Sequence, residues 1–334
     1  MVRVRREDSR VRWRKPHIRT PGYLFGSAGV IVKFLGCFPN PEREAFFSEK
    51  SGSVQPLYLV SFKLNSLWSS SDNHEDTTEV TAEIYEPWIK LIDDDKNVTR
   101  DDNVVLDKTS DSGVVDHGDH VHDTRYETEE ESIRREMLTE DQEGVHMADL
   151  LINIMMKKGV IDSEGIMKIV ELLDSRGKMM FGQRIVVKAW MDPDFKKRLL
   201  EDGNKAADEV GVIASNPNAP TKFVVVENTE DTHHVIVCTL CSCYPSGVLG
   251  MAPAWYKSRS YRARTVREPR KVLAEFGLEL SSSTKIVVHD SSADCRYMVL
   301  PRRPSWTQGW SEEELMKIVS RDSLIGVAVP RKNI

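Results

Sequence analysis

From Asp93 to Ser132 the chain reads DDDKNVTRDDNVVLDKTSDSGVVDHGDHVHDTRYETEEES, an acidic run poor in large apolar side chains and without a sustained period. Such a stretch buries too little surface to offset the entropy of ordering it, and it reads as a disordered linker. It divides the 334 residues into two folding units instead of one core. The expected boundaries are 1–92 for a front domain, 93–138 for the linker and 139–334 for a second domain. Within the linker His117, His120 and His122 alternate with Asp116, Asp119 and Asp123. That density suits weak binding of a divalent ion, and a solvated polar segment is the plainer expectation.

The front segment is β-rich. AGVIVKFLGCF (Ala28–Phe38), PLYLVSFKL (Pro56–Leu64) and EVTAEIYEPW (Glu79–Trp88) are short β-branched or aromatic runs separated by turn residues. They predict a small barrel or roll. Beyond Thr139 the period becomes helical: Met147, Leu150, Leu151, Ile154 and Met155 form one apolar stripe, expected to pack into a core. Ile166, Ile169, Val170 and Leu173 predict a second helix stopping near Gly177. A third has Asp192 as N-cap, Pro193 in its first turn and Gly203 as terminator. KFVVVEN, HHVIVCTL, KIVVHD and RYMVLP then read as buried strands. A helix starts at Pro269, and Ser311 with Glu314 makes a capping box. The expected class is α+β: a small β-barrel or roll, a disordered linker, then a helical arm and a layered α/β domain.

The net charge of -6 offers no basic face for nucleic acid. No run reaches the ~18–20 apolar residues of a membrane helix. The arginine-rich opening MVRVRREDSRVRWRKP has no apolar stretch and carries Glu7 and Asp8, so no secretory signal is expected and the cytoplasm is the expected location.

Three of the five cysteines crowd into VIVCTLCSCYPSG: Cys238, Cys241 and Cys243. A bridge between Cys241 and Cys243 violates disulfide geometry. Cys238 and Cys241 make a CxxC pair that suits a redox dithiol but leaves Cys243 idle. Zinc closes with four ligands, which requires His233, His234 or Cys295 to join the cluster. A third arrangement uses the tight spacing itself: one ion takes the three sulfurs and the deprotonated amides of Ser242 and Cys243, leaving a sixth octahedral position open. Such a centre requires a strongly Lewis-acidic ion, for which cobalt or iron is better suited than zinc. The bland readings stand beside these. Ser242 is ordinary turn chemistry, His233 and His234 are packing or surface residues, and Asp294 with Arg296 is a structural ion pair. Cys37 and Cys295 are inert buried thiols.

VCTLCSC, with GMAPAWYKSRSYRARTVREPRKVLAEFG and SSADCRYMVLPRRPSWTQGWSEEELMKIVSRDSLIGVAVP, resembles the α subunit of nitrile hydratase from about Glu140 onward. HIRTPGYLFGSAGVIVKFLGCF, QPLYLVSFKLNSLW and AEIYEPWIK resemble the C-terminal barrel of the β subunit of the same enzyme, with VRVR as one of its strands. The chain therefore looks like a β-to-α fusion.

The resemblance implies hydration of a small nitrile to the amide at a low-spin Co(III) ion, or less readily Fe(III), held by Cys238, Cys241, Ser242 and Cys243. It implies that Cys241 is a sulfinic acid, Cys243 a sulfenic acid and Cys238 a plain thiolate. Thr239 is the residue of cobalt-dependent members, where iron-dependent ones have serine. Arg19 matches the β-subunit arginine that hydrogen-bonds the oxidised sulfurs. The catalytic residues so implied are Cys243, Ser242 and Arg19.

The chain departs from the family at Ser246 and Gly247, where Trp-Pro is usual. It departs again at Ala219, with Asn218 beside it, where some members carry a supporting glutamine. The resemblance also implies a homo-oligomer, or a partner supplying the helical N-terminal half of the β subunit, and an activator that delivers the metal, a task the histidine linker would share. A thiocyanate hydrolase-like enzyme has the same claw. A non-catalytic metal-binding or assembly protein is the reading from another class.

Overall fold

A computed structural model describes residues 1–5, 19–39, 41, 54–68, 77–92, 141–165, 167, 180–215, 221–240 and 243–332. The proposed linker with its histidines, the Ile166–Leu173 helix apart from Met167, Asn218, Ala219, Cys241 and Ser242 lie outside them.

Five strands come from the front of the chain: β1 (Val2–Val4), β2 (Ala28–Pro39), β3 (Val54–Lys63), β4 (Glu79–Tyr85) and β5 (Ile89–Leu91). They pair antiparallel in the order β5-β1-β2-β3-β4. β2 and β3 occupy the runs that the β-branched pattern marks. VRVR supplies β1, and two register shifts in β2 bend its ladder with β3. Val2, Val4, Leu24, Val60, Phe62, Ala82 and Ile84 make a small core of their own, as expected of a roll.

The sheet does not stop at β4. Strands β6 (Lys222–Glu227), β7 (Thr232–Val237), β8 (Lys285–Asp290) and β9 (Cys295–Leu300) come from the second part, and β8 adds parallel to β4. The result is a seven-stranded sheet, β5-β1-β2-β3-β4-β8-β7, beside a parallel β6-β9 pair. Leu35, Leu57, Leu59, Val80 and Tyr85 share one apolar core with Val235, Ile286, Val288, Tyr297 and Met298, so the junction is built like a domain interior.

The helices of the second part carry the signals read from the sequence. Asp192 accepts the Phe195 amide and Pro193 opens the helix Pro193–Glu201. Ser311 and Glu314 close both halves of the capping box on Glu312–Ile318. Gly203 is a correction. The helix ends at Asp202, which caps the next helix, and Gly203 is that helix's first residue. A Cβ at Gly203 would sit 2.4 Å from the Phe223 carbonyl oxygen, so its smallness serves close approach to β6. The stripe on Asp141–Lys157 is a second correction. Met147, Leu150, Leu151 and Ile154 are exposed, because no described element of this chain lies against that face. No described helix is long and apolar enough to cross a membrane.

Candidate metal centre

Strands β7 and β8 run parallel in register, and their last residues, Val237 and Asp290, are partners. The two segments leaving these strands therefore emerge side by side at the carboxyl edge of a parallel pair, where α/β folds place their sites. Cys238 comes directly after β7 and is fully buried. Asp290 clamps the next residue: the Thr239 amide donates to its Oδ1 at 2.9 Å and the Thr239 hydroxyl to Oδ2 at 2.6 Å. The Ser291 amide donates to the Val237 carbonyl at 2.8 Å. The front part reaches in as well, with the Tyr23 hydroxyl donating to Asp290 Oδ2 at 2.8 Å.

The other side of the cluster is also tied by its backbone. Tyr256 donates to the Cys243 carbonyl at 2.7 Å, Tyr261 to the Ile236 carbonyl at 2.6 Å and Arg262 to the Leu240 carbonyl at 3.5 Å. Cys243 is half-buried. Cys241 and Ser242 are the two expected ligand positions that the described residues leave out, and the described residues alone gather no metal-binding group of three His, Cys, Asp or Glu.

Burial, followed by the neighbouring Cys238, pushes the Asp290 carboxyl up to about 7. A buried thiol and a buried carboxyl that oppose each other's ionisation leave room for a positive charge. A cation with soft-donor preference is the group that would release both protons. This donor chemistry fits a transition-metal ion.

Arg19 stands at the far end of the loop that begins at Asp290. Its Nη1 donates to Asp294 Oδ1 at 3.2 Å, and Tyr85 donates to the other oxygen of Asp294. Asp294 is therefore not the partner of Arg296, as its spacing suggested. Arg296 instead donates to the carbonyls of Ala293 and Cys295. The correction has a simple cause: the front part brings a guanidinium to Asp294 from 275 residues away.

His233 and His234 lie within β7 as packing residues. His233 Nε2 bonds the Gly326 carbonyl at 2.7 Å, and His234 stacks on His289 with ring centres 5.0 Å apart. Cys295 is buried and its thiol is pushed well up by desolvation. Cys37, expected to be buried, is exposed, because it lies on the outward face of β2 with Phe34 and Val32 nearby in the chain. Tyr23, Tyr85 and Asp290 were not singled out from sequence. Tyr23 and Asp290 sit inside the stretches HIRTPGY and KIVVHD, but only the fold shows that they meet.

A roll that completes the sheet of a layered α/β domain, over a buried cysteine cluster, defines a two-part α+β metalloprotein. Residues 143–328 match the family model of the nitrile hydratase alpha chain, and residues 1–91 match that of the nitrile hydratase beta subunit, C-terminal. The chain belongs to the nitrile hydratase family and carries the two subunit types in β-to-α order.

The cobalt-containing nitrile hydratase subunit alpha of Pseudonocardia thermophila is 47% identical over 178 residues, covering 53% of this chain and 86% of the relative. Thiocyanate hydrolase subunit gamma of Thiobacillus thioparus is 50% identical over 159 residues, covering 45% of this chain and 65% of the relative. Among solved structures, a double mutant of the Fe-type nitrile hydratase of Comamonas testosteroni Ni1 aligns with a TM-score of 0.53 at 42% identity, covering 57% of this chain and 92% of that one.

Proposed function

We propose that this chain is a cobalt nitrile hydratase, adding water across R–C≡N so that oxygen bonds to carbon, both protons end on nitrogen, and an amide results. The observation that carries the reading is Asp290, held in common by Thr239 of the cysteine knuckle and Tyr23 of the roll. Cys238, Cys241, Cys243 and the backbone amides of Ser242 and Cys243 would hold the ion. Bound there, low-spin Co(III) supplies Lewis acidity that polarises the nitrile carbon toward attack.

The chain's own residues do the rest. The Asp290 clamp fixes the turn after β7, so the thiols are presented without reorganisation. Tyr23 and Tyr256 brace the two sides of the cluster, and their burial excludes bulk water. Arg19, steadied by Asp294, supplies a charge-assisted donor to the sulfinate of Cys241 and the sulfenate of Cys243, anions that are costly to bury unpaired. We place the protein in the cytoplasm.

Metal analysis of the purified chain, with the mass of the peptide spanning Cys238 to Cys243, tests the proposal. About one cobalt per chain with two added oxygens on Cys241 and one on Cys243, together with amide formation from a nitrile, is the expected result. Zinc or unmodified thiols without hydration would leave a metal-binding or assembly protein. The likeness to thiocyanate hydrolase gamma supports a second reading, and turnover of thiocyanate but not nitriles would favour it.

A further inference from the structure

Strand β4 ends its pairing with β8 at Ala82, opposite Asp290, and the next residue, Glu83, meets the loop that leaves β8. Glu83 is 0% exposed. Its Oε2 accepts the Ala293 amide at 2.5 Å and its backbone carbonyl accepts the Ser292 hydroxyl at 3.4 Å. Its Oε1 and the Tyr297 hydroxyl are both buried and close no hydrogen bond. The loop held this way carries Asp290 at one end, bound to Thr239 and Tyr23, and Asp294 at the other, bound to Arg19 and Tyr85.

We propose that Glu83 is a positioning residue for the metal centre: one buried carboxyl of the roll fixes the Ser291–Ala293 loop, and with it the two aspartates that place Thr239 and Arg19. The inference rests on the hydratase reading for its consequence in catalysis, though not for the contact itself. A leucine at this position would leave the buried Ala293 amide without an acceptor, a larger loss than the bond's net worth.

The charge state of Glu83 matters to the arrangement. Desolvation raises the carboxyl to about 8, against the Ala293 amide, Tyr297 and Arg296, which favour the anion, and with Asp294, which opposes it. The other groups facing it are the Cys295 thiol on β9 and Tyr85 on its own strand. Below that pH the neutral acid accepts from Ala293 and adds no charge beside Asp294. Above it, a second anion stands against the aspartate that holds Arg19.

Backbone hydrogen exchange and steady-state kinetics on the metal-loaded full chain, with Glu83→Leu and Glu83→Gln, decide the matter. In Glu83→Leu the amides of Ser292 to Asp294 should lose roughly tenfold or more of their protection while those of β7 and β8 keep theirs; Glu83→Gln, which retains an acceptor, should resemble the parent. In the parent, kcat for hydration should fall above about pH 8, and Glu83→Gln should lack that alkaline limb. Unchanged loop protection in Glu83→Leu, protection lost evenly across β7 and β8, or an identical limb in Glu83→Gln would each overturn the proposal. Should the chain hydrate no nitrile, the exchange measurement still decides whether Glu83 holds the loop.

Discussion

At the scale of single residues, the structure places its tightest constraint at Gly326. It ends the helix Arg321–Ile325 in the left-handed region at φ 95, and an added Cβ would lie 2.1 Å from the His234 carbonyl oxygen. Gly326→Ala is expected to cost about 3 kcal/mol or more, from left-handed strain plus backbone collision. A denaturant melt showing less than about 1 kcal/mol would contradict the packing of that helix end on β7. Arg19→Lys makes a different demand. The ammonium keeps the charge but loses the planar fork, so kcat should fall about tenfold or more while cobalt content is retained. Loss of cobalt instead would make Arg19 a determinant of loading. The residues legible beforehand, Asp192, Pro193, Ser311 and the cysteine spacing, act through neighbours a few positions away. Tyr23 and Asp290 are 267 positions apart, and no local pattern announces a partner at that separation.

At the scale of elements, alternation and β-branched runs located β2, β3, β4 and the four strands of the second part, because each buries at least one face. The same logic failed for the stripe on Asp141–Lys157. Periodicity shows that a face is apolar without showing what covers it. Nor does it show which strands pair across the junction. There the strands carry a histidine relay: His234 Nδ1 lies 2.8 Å from His289 Nε2, and His289 Nδ1 lies 2.9 Å from Thr81 Oγ1. Desolvation, then His233 and Lys285, lowers His234 to about 4, and His289 is lowered well below its usual value. Both are therefore neutral when folded and protonate near pH 6.5 when unfolded. Their stabilising contribution is complete above about pH 6.5 and is lost as pH falls toward the folded values. The thermal midpoint should drop between pH 6.5 and 5, before most carboxylates titrate. His234→Gln should flatten that part of the curve, and a parallel decline in the variant would assign the loss elsewhere.

At the scale of the whole molecule, one sheet crosses what the sequence presents as a boundary. β4 and β8 pair through four residue pairs, and side chains stitch the junction on both sides. Trp68 donates to the Val266 carbonyl at 2.7 Å beneath the Arg267 guanidinium, Lys285 pairs with Glu79 at 2.7 Å, and Lys222 donates to the Leu35 carbonyl at 2.8 Å. The apolar core is continuous through the same seam, which is the character of an obligate interface. An interface of that kind does not depend on a covalent tether, which contributes effective concentration and no contact. Residues 1–92 and 141–334 produced as two polypeptides in one cell should therefore co-purify as a 1:1 complex. If the connection is only a tether in this sense, the complex should load metal as the single chain does. Trp68→Ala should weaken the two-piece complex by about 3 kcal/mol, since it removes a partly buried indole, its hydrogen bond and its cation–π contact together. The same substitution in the intact chain should lower the melting temperature without separating the parts. Two pieces that elute apart would mean that the sheet crossing needs the covalent connection, and the fusion itself would then be part of how the site is assembled.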